Sequence, residues 1–218
     1  MRADTAGRPP RLYLITDRRA TAGRPLTDVV RAALAGLPAS ARGGVAVSLR
    51  EKDLEARALL DLARALRELT GAAGARLFVN DRVDVALAAG ADGVHLGGSS
   101  LCPADVARIA PGLMVGVSTH GRPAAVDAAG EPNVAFAVFG PIYDTPSKRA
   151  YGPPVGLTAL RDAVASGLPL LALGGVTPQR APECLAAGAS GVACIRAVLE
   201  ARDPGEALRA LWSTVENS

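Results

Sequence analysis

Eight short apolar runs, separated by Ala/Leu-rich stretches, constrain this chain more than anything else in it. They are RLYLIT (11–16), GVAVSLR (44–50), RLFVND (76–81), GVHLG (93–97), LMVGVST (113–119), VAFAVFG (134–140), LPLLALGG (168–175) and GVACIRAV (191–198). Several are apolar on successive residues rather than alternate ones, the pattern of strands covered on both faces. The stretches between them carry apolar residues three and four apart, as in Leu54, Leu59, Leu60, Leu62, Leu66 and Leu69, or Val85, Leu87 and Ala88. That spacing marks one face of a helix. Asp53 stands where a helix cap is expected, and Thr177-Pro178 sets a capping residue before a first-turn proline. Eight strands, each followed by a helix, count out a (β/α)8 TIM barrel of the α/β class.

An internal echo supports this count. LAAGADGV (87–94) and LAAGASGV (185–192) match at all but one position. In each, a helix ends, a glycine makes the turn and a strand begins; glycine suits both the left-handed cap and a close helix–strand approach. The two copies precede strands four and eight, as half-barrel symmetry requires. A chain of 218 residues is long enough for one such barrel. Residues 1–218 are therefore read as one domain, with 1–10 expected to be a disordered N-terminal tail.

Composition narrows the partners. The net charge is +3, and its cations are spread through the predicted helices. Nucleic-acid binding would need a dense one-sided patch with aromatic stacking groups, which is missing. No run approaches the roughly 20 apolar residues of a membrane span, and the first residues carry no apolar signal core. Cys102, Cys184 and Cys194 sit at no metal-like spacing and read as small buried hydrophobes in a reducing compartment. The expectation is a cytoplasmic protein, with a homo-oligomer left open.

In such a barrel, chemistry gathers at the C-terminal ends of the strands. Strand two ends in Arg50-Glu51-Lys52 and strand three in Asn80-Asp81-Arg82. Strand four carries His95 and runs into GGSS. Strand five ends in Ser118-Thr119-His120. Strand six opens into PIYDTPSKRAYGPP, with Thr145, Ser147, Lys148 and Arg149. Strand seven ends in Gly174-Gly175, and strand eight carries Arg196. Bare glycine N–H groups after strand seven suit a phosphate. Cations from strands two, six and eight would surround it. Each residue also has a plainer role: Arg50 and Lys52 pairing with Glu51 and Asp53, Asp81 capping a helix, His95 satisfied in the core, His120 exposed. The convergence of so many on one face favours an anion site.

The motifs LREKDL, NDRVDVALAAGADGVHLG, GVSTH, FGPIYDTPSK and LALGGVTP resemble thiamine phosphate synthase and its sister, the TenI-type thiazole tautomerase, over about residues 11–200. The resemblance implies coupling of hydroxymethylpyrimidine diphosphate to thiazole phosphate, with release of pyrophosphate. It implies that Arg50, Lys52, Asn80, Ser118 and Lys148 hold the pyrophosphate and that Asp81 ligates Mg²⁺. Thr145, Ser147 and Gly175, beside Gly174, would hold the thiazole phosphate. Lys148, Ser118 and His120 are the candidate catalytic groups, with Arg196 as a further substrate cation.

Three positions depart from the synthase pattern. Ser48 replaces a glutamine that contacts the pyrimidine, Ser100 replaces a second Mg²⁺ carboxylate, and Arg196 replaces a small serine. The GGSSLCP stretch is closer to the metal-independent tautomerase, for which His120 is an acid–base candidate. Losing a carboxylate implies a weakened Mg²⁺ site. Three readings stand: a synthase, a tautomerase, and an inactive barrel that binds phosphorylated ligands.

Overall fold

The computed structural model describes residues 7–131, 133–145 and 152–216. Eight strands lie where the apolar runs predict: β1 (Leu12–Ile15), β2 (Val45–Leu49), β3 (Arg76–Asn80), β4 (Gly93–Leu96), β5 (Met114–Thr119), β6 (Val134–Phe139), β7 (Leu170–Ala172) and β8 (Gly191–Cys194). All pair in parallel, each with the next in sequence. Pairing of β1 with β8 closes the barrel. Outside it lie α1 (Leu26–Ala35), α2 (Ala56–Ala73), α3 (Val83–Ala89), α4 (Pro103–Ile109), α5 (Arg122–Ala129), α6 (Gly156–Val164), α7 (Ala181–Ala186), α8 (Arg196–Leu199) and α9 (Pro204–Glu216). None of these helices is long and apolar enough to cross a membrane.

The strands are buried on both faces because there are two cores. Leu12, Leu14, Val45, Val47, Leu77, Val79, Val94, Val115 and Val117 point outward under the helices. Tyr13, Ile15, Ala46, Phe78, Phe136, Val138, Leu171 and Ala193 fill the interior. Tyr13, Phe78 and Phe136 meet edge to face there, with ring centroids 5.3 to 5.5 Å apart. Such aromatic pairs are worth about 0.5–1.5 kcal/mol beyond area burial. Strand alternation then assigns the site. Two residues past the inward Ala46 come Ser48 and then Arg50; two past Phe78 comes Asn80. His95 pairs in register with Gly116, and Ser118 follows two residues later.

The echoed segments behave alike. Gly90 caps α3 with φ +63°, and Gly188 follows α7 with φ +97°. Gly93 and Gly191 begin β4 and β8, where a Cβ would run into the Met114 and Arg11 carbonyls respectively.

Several local expectations need correction. β8 ends at Cys194, not at residue 198, so Arg196 opens a helix instead of riding a strand. Asp53 does not cap α2, whose N-cap is Glu55 without a side-chain bond; Asp53 is drawn away by two arginines, as described below. α7 begins at Ala181, where the Thr177 backbone carbonyl, not its hydroxyl, receives the N–H groups of Arg180 and Ala181. Cys102 is exposed beside Asp105, whereas Cys184 and Cys194 are buried as expected. Of the expected tail, residues 1–6 lie outside the described part. The chain beyond them is tied down, with the Arg8 carbonyl accepting from Arg76 Nη1 and Pro10 buried.

Gly191→Ala is expected to destabilise by about 1–3 kcal/mol, because the obstructing group is backbone and cannot rotate away. Gly71→Ala, on an exposed stretch of α2 with open space around it, should hold or raise stability. Urea midpoints at unchanged m-value check both; a Gly191→Ala midpoint equal to that of the parent contradicts the packing described.

Candidate active site

The C-terminal mouth collects polar groups from successive strands. After β3, Asp81 adopts φ +62°, a left-handed conformation that aspartate tolerates better than most side chains. Its N–H donates to the His95 carbonyl at 2.9 Å, fastening this turn to β4. The carboxylate receives Asn80 Nδ2 at 2.6 Å, Lys52 Nζ at 3.4 Å and the Ser100 hydroxyl. Burial pushes the Asp81 carboxyl upward, but the Ser100 hydrogen bond and the Lys52 charge outweigh it and hold it below the ordinary carboxylate value. A recess of about 220 Å³ opens here, lined in part by Glu51, Lys52, Asn80 and Asp81.

Glu51 and Asp53 are used elsewhere. The Arg18 backbone N–H donates to both Glu51 carboxylate oxygens at 3.1 and 3.2 Å, and Arg18 Nη1 reaches Oε2 at 3.1 Å. Arg18 also grips Asp53 through two parallel bonds of 2.6 Å, and Arg19 adds a third at 2.7 Å. The loop after β1 thus binds the two acids that flank the cations of β2. Arg50 pairs with no carboxylate among the described residues; its N–H donates to Thr16 Oγ1 at 2.9 Å. Sequence reasoning missed Arg18. Its signal was Asp17-Arg18-Arg19, directly after β1.

His95 is buried, and desolvation pushes its ring down to about 4, so it is neutral near pH 7. Nε2 lies 2.9 Å from Ser118 Oγ, which opens to the mouth. His120 is exposed, and its Nδ1 sits 2.5 Å from the Gly140 carbonyl. A carbonyl only accepts, so Nδ1 carries the hydrogen.

Across the ring, Thr145 Oγ1 is buried with no hydrogen-bond partner among the described residues. Gly174 and Gly175 have φ of +100° and +66° and pack on Pro141 and Tyr143. Their N–H groups find no acceptor among the described residues, while the carbonyls are taken by the Tyr143 N–H and by Arg180 Nη1. A side chain at Gly174 would meet Pro141 at 2.6 Å, so the close approach needs glycine. Ser147, Lys148 and Arg149 lie outside the described residues. Arg196 opens α8, and its Nε faces the carboxylate of the C-cap Glu200 at 3.5 Å.

Residues 12–198 match the family described as thiamine monophosphate synthase. This chain belongs to that family. A protein of Geobacter sulfurreducens provisionally named thiamine-phosphate synthase is 54% identical over 203 residues, 92% of each chain. The thiamine-phosphate synthase of Roseiflexus castenholzii is 48% identical over 203 residues, 92% of this chain and 86% of the other. Among solved structures, thiamine phosphate pyrophosphorylase from Pyrococcus furiosus superposes with a TM-score of 0.84 at 34% identity, covering 98% of this chain and 97% of that one. The family, the barrel and the enzyme class expected from the motifs are thereby shown.

Ser100→Ala should raise the Asp81 carboxyl, read from its side-chain carbon resonance during an acid titration. The sign follows from linkage. With a lowered folded value, ionised Asp81 supports the fold above its unfolded value, about 3.9, and that support fades as pH falls through the folded value. In Ser100→Ala that support should be smaller and should be gone at a higher pH; coincident titrations contradict the assignment.

Proposed function

We infer that this chain is a thiamine phosphate synthase, joining hydroxymethylpyrimidine diphosphate to thiazole phosphate and releasing pyrophosphate. One observation carries the reading: Arg50, which pairs with no carboxylate among the described residues, and the donors of Thr145, Gly174 and Gly175, which find no acceptor among them, stand on opposite sides of one barrel mouth. In an eight-strand ring, β2 and β3 lie across from β6 and β7. The first side is cationic, with Arg50 and Lys52 beside Asn80, and Ser118 follows on β5. The second presents the Thr145 hydroxyl and the N–H groups of Gly174 and Gly175, with Arg180 on the Gly175 carbonyl. A diphosphate suits the first side, a monophosphate the second. Two phosphorylated substrates facing each other across one cavity is the arrangement a coupling reaction needs.

The chemistry follows from the charges. The methylene–oxygen bond of the pyrimidine breaks, and the electron pair leaves with pyrophosphate. The thiazole nitrogen then supplies the pair that forms the new carbon–nitrogen bond to the pyrimidine cation. Arg50 and Lys52 face the oxygens on which negative charge grows, and fixed donors there lower the barrier most in a water-poor site. Asn80 and Ser118 add neutral donors, and Lys148 is assigned to the same anion by its motif. Thr145, Ser147, Gly174 and Gly175 hold the second phosphate and so aim the nucleophile. Arg196, already matched by Glu200, is left out of this set.

Mg²⁺ fits what is present. It typically takes one or two protein carboxylates and completes its shell with phosphate oxygens and water. Asp81 supplies one ionised, half-buried carboxylate, and Ser100 a neutral oxygen beside it. Glu51 is committed to Arg18, and the described residues form no cluster of three metal-binding side chains. Bound there, the ion would neutralise charge on the departing pyrophosphate.

Purified protein given both substrates and Mg²⁺ should form thiamine phosphate, followed by chromatography; no product with or without metal overturns the reading. Arg50→Ala and Thr145→Ala should each lower kcat/KM by at least about tenfold, by loss of a charge-assisted or desolvated contact to phosphate. Arg50→Ala should respond to pyrimidine diphosphate concentration and Thr145→Ala to thiazole phosphate, which separates the two sides. Ser100→Asp should tighten Mg²⁺ binding by calorimetry, and an unchanged affinity counts against Asp81 as the metal ligand.

A further inference from the structure

A chain of polar side chains crosses the otherwise apolar barrel interior. The Tyr13 hydroxyl, fully buried, lies 3.3 Å from His95 Nδ1, and His95 Nε2 lies 2.9 Å from Ser118 Oγ. Ser48, two residues past the inward Ala46 of β2, is buried on the strand next to Tyr13. Three strands thus contribute one bonded residue each, and of these only Ser118 opens to the mouth. Room is reserved for this chain. A Cβ on Gly116, the register partner of His95, would meet the Phe136 ring at 2.5 Å and His95 Nδ1 at 3.0 Å.

Such a chain can run in either direction, and the direction decides what Ser118 can do. If Ser118 donates to Nε2, the ring hydrogen sits on Nδ1, faces the Tyr13 oxygen, and leaves only Ser118 lone pairs toward the mouth. Lone pairs repel an anion. If Tyr13 donates to Nδ1, the ring hydrogen sits on Nε2 and donates to Ser118 Oγ, freeing the Ser118 hydrogen for the substrate. The acid–base order of the groups selects the second. A phenol, with an ordinary pKa of about 10, is a far better donor than an alcohol, and its oxygen is the poorer acceptor. The imidazole lone pair is the strongest acceptor in the chain. Burial also holds Tyr13 protonated, so it keeps its donor role across the working pH range.

We propose that Tyr13 and His95 are positioning residues, which fix the His95 ring with its hydrogen on Nε2 and thereby turn Ser118 into an obligate donor toward the leaving diphosphate. This rests on the synthase reading for the identity of the anion, but the direction of the chain does not.

The chain has two histidines, and since Gly140 holds the hydrogen of His120 on Nδ1, the proposal gives the two rings opposite tautomers. Protein labelled with ¹⁵N in the imidazole rings should show His95 protonated on Nε2 and bare on Nδ1 at neutral pH. A ring protonated on Nδ1, or an even mixture, overturns the proposal. Kinetics tests the consequence. Tyr13→Phe keeps the ring packing, and should lower kcat about fivefold with little change in KM for either substrate. In a Ser118→Ala background the same change should cost less than about twofold, because Tyr13 acts through Ser118. Equal losses in both backgrounds mean a merely structural role and overturn the proposal. If the parent protein makes no thiamine phosphate, the synthase reading fails, and the tautomer alone still decides the direction.

Discussion

Closure of β1 onto β8 gives every strand a covered outer face and a covered inner face, and the position of each site residue follows from that. A parallel strand alternates strictly, so a residue two beyond an inward aromatic is also inward and one step nearer the mouth. Ala46, Ser48 and Arg50 form one such row; Phe78 and Asn80 another; Gly116, Ser118 and His120 a third. Apolar packing at the lower levels and ligand chemistry at the upper one are therefore parts of the same rows. A slip of one residue in any strand would send its polar end under the helices.

The charges at the mouth are arranged by subtraction as much as by addition. Glu51 and Asp53 would neutralise Arg50 and Lys52 if left to their sequence neighbours. The loop after β1 removes them, through Arg18 and Arg19. Most of these groups are partly exposed, so their worth to stability is small. Their effect is to leave Arg50 without a carboxylate partner among the described residues and Lys52 beside Asp81. Asp81 keeps a charge-balanced environment of one cation and two neutral donors, suited to a carboxylate that shares a metal with phosphate oxygens.

Much of this was legible in the sequence, for reasons that can be named. The eight apolar runs stand out because both strand faces are buried, and the repeated LAAGA(D/S)GV segment marks helix end, turn and strand start where glycine is sterically required. Polar residues directly after apolar runs gave most of the mouth. Three examples show what was not legible. Asp53 looked like a cap because its competition with Arg18 is set by a contact 35 residues away. Arg196 looked like a strand residue because Ile195-Arg196-Ala197-Val198 is as apolar as a strand, and only the turn into α8 after Cys194 separates them. Tyr13 looked like core packing, and it is, yet its hydroxyl reaches His95, a partner found only when β1 and β4 face each other across the barrel.

The central claim is that two anion sites face each other across a single mouth, one against β2 and β3, the other against β6 and β7. A crystal structure of the protein with thiamine phosphate, pyrophosphate and Mg²⁺ tests it most directly. The account predicts the ester phosphate on the Thr145 hydroxyl and the Gly174–Gly175 N–H groups, with pyrophosphate against Arg50, Asn80 and Ser118. Both anions on one side, or either bound away from this mouth, would contradict it.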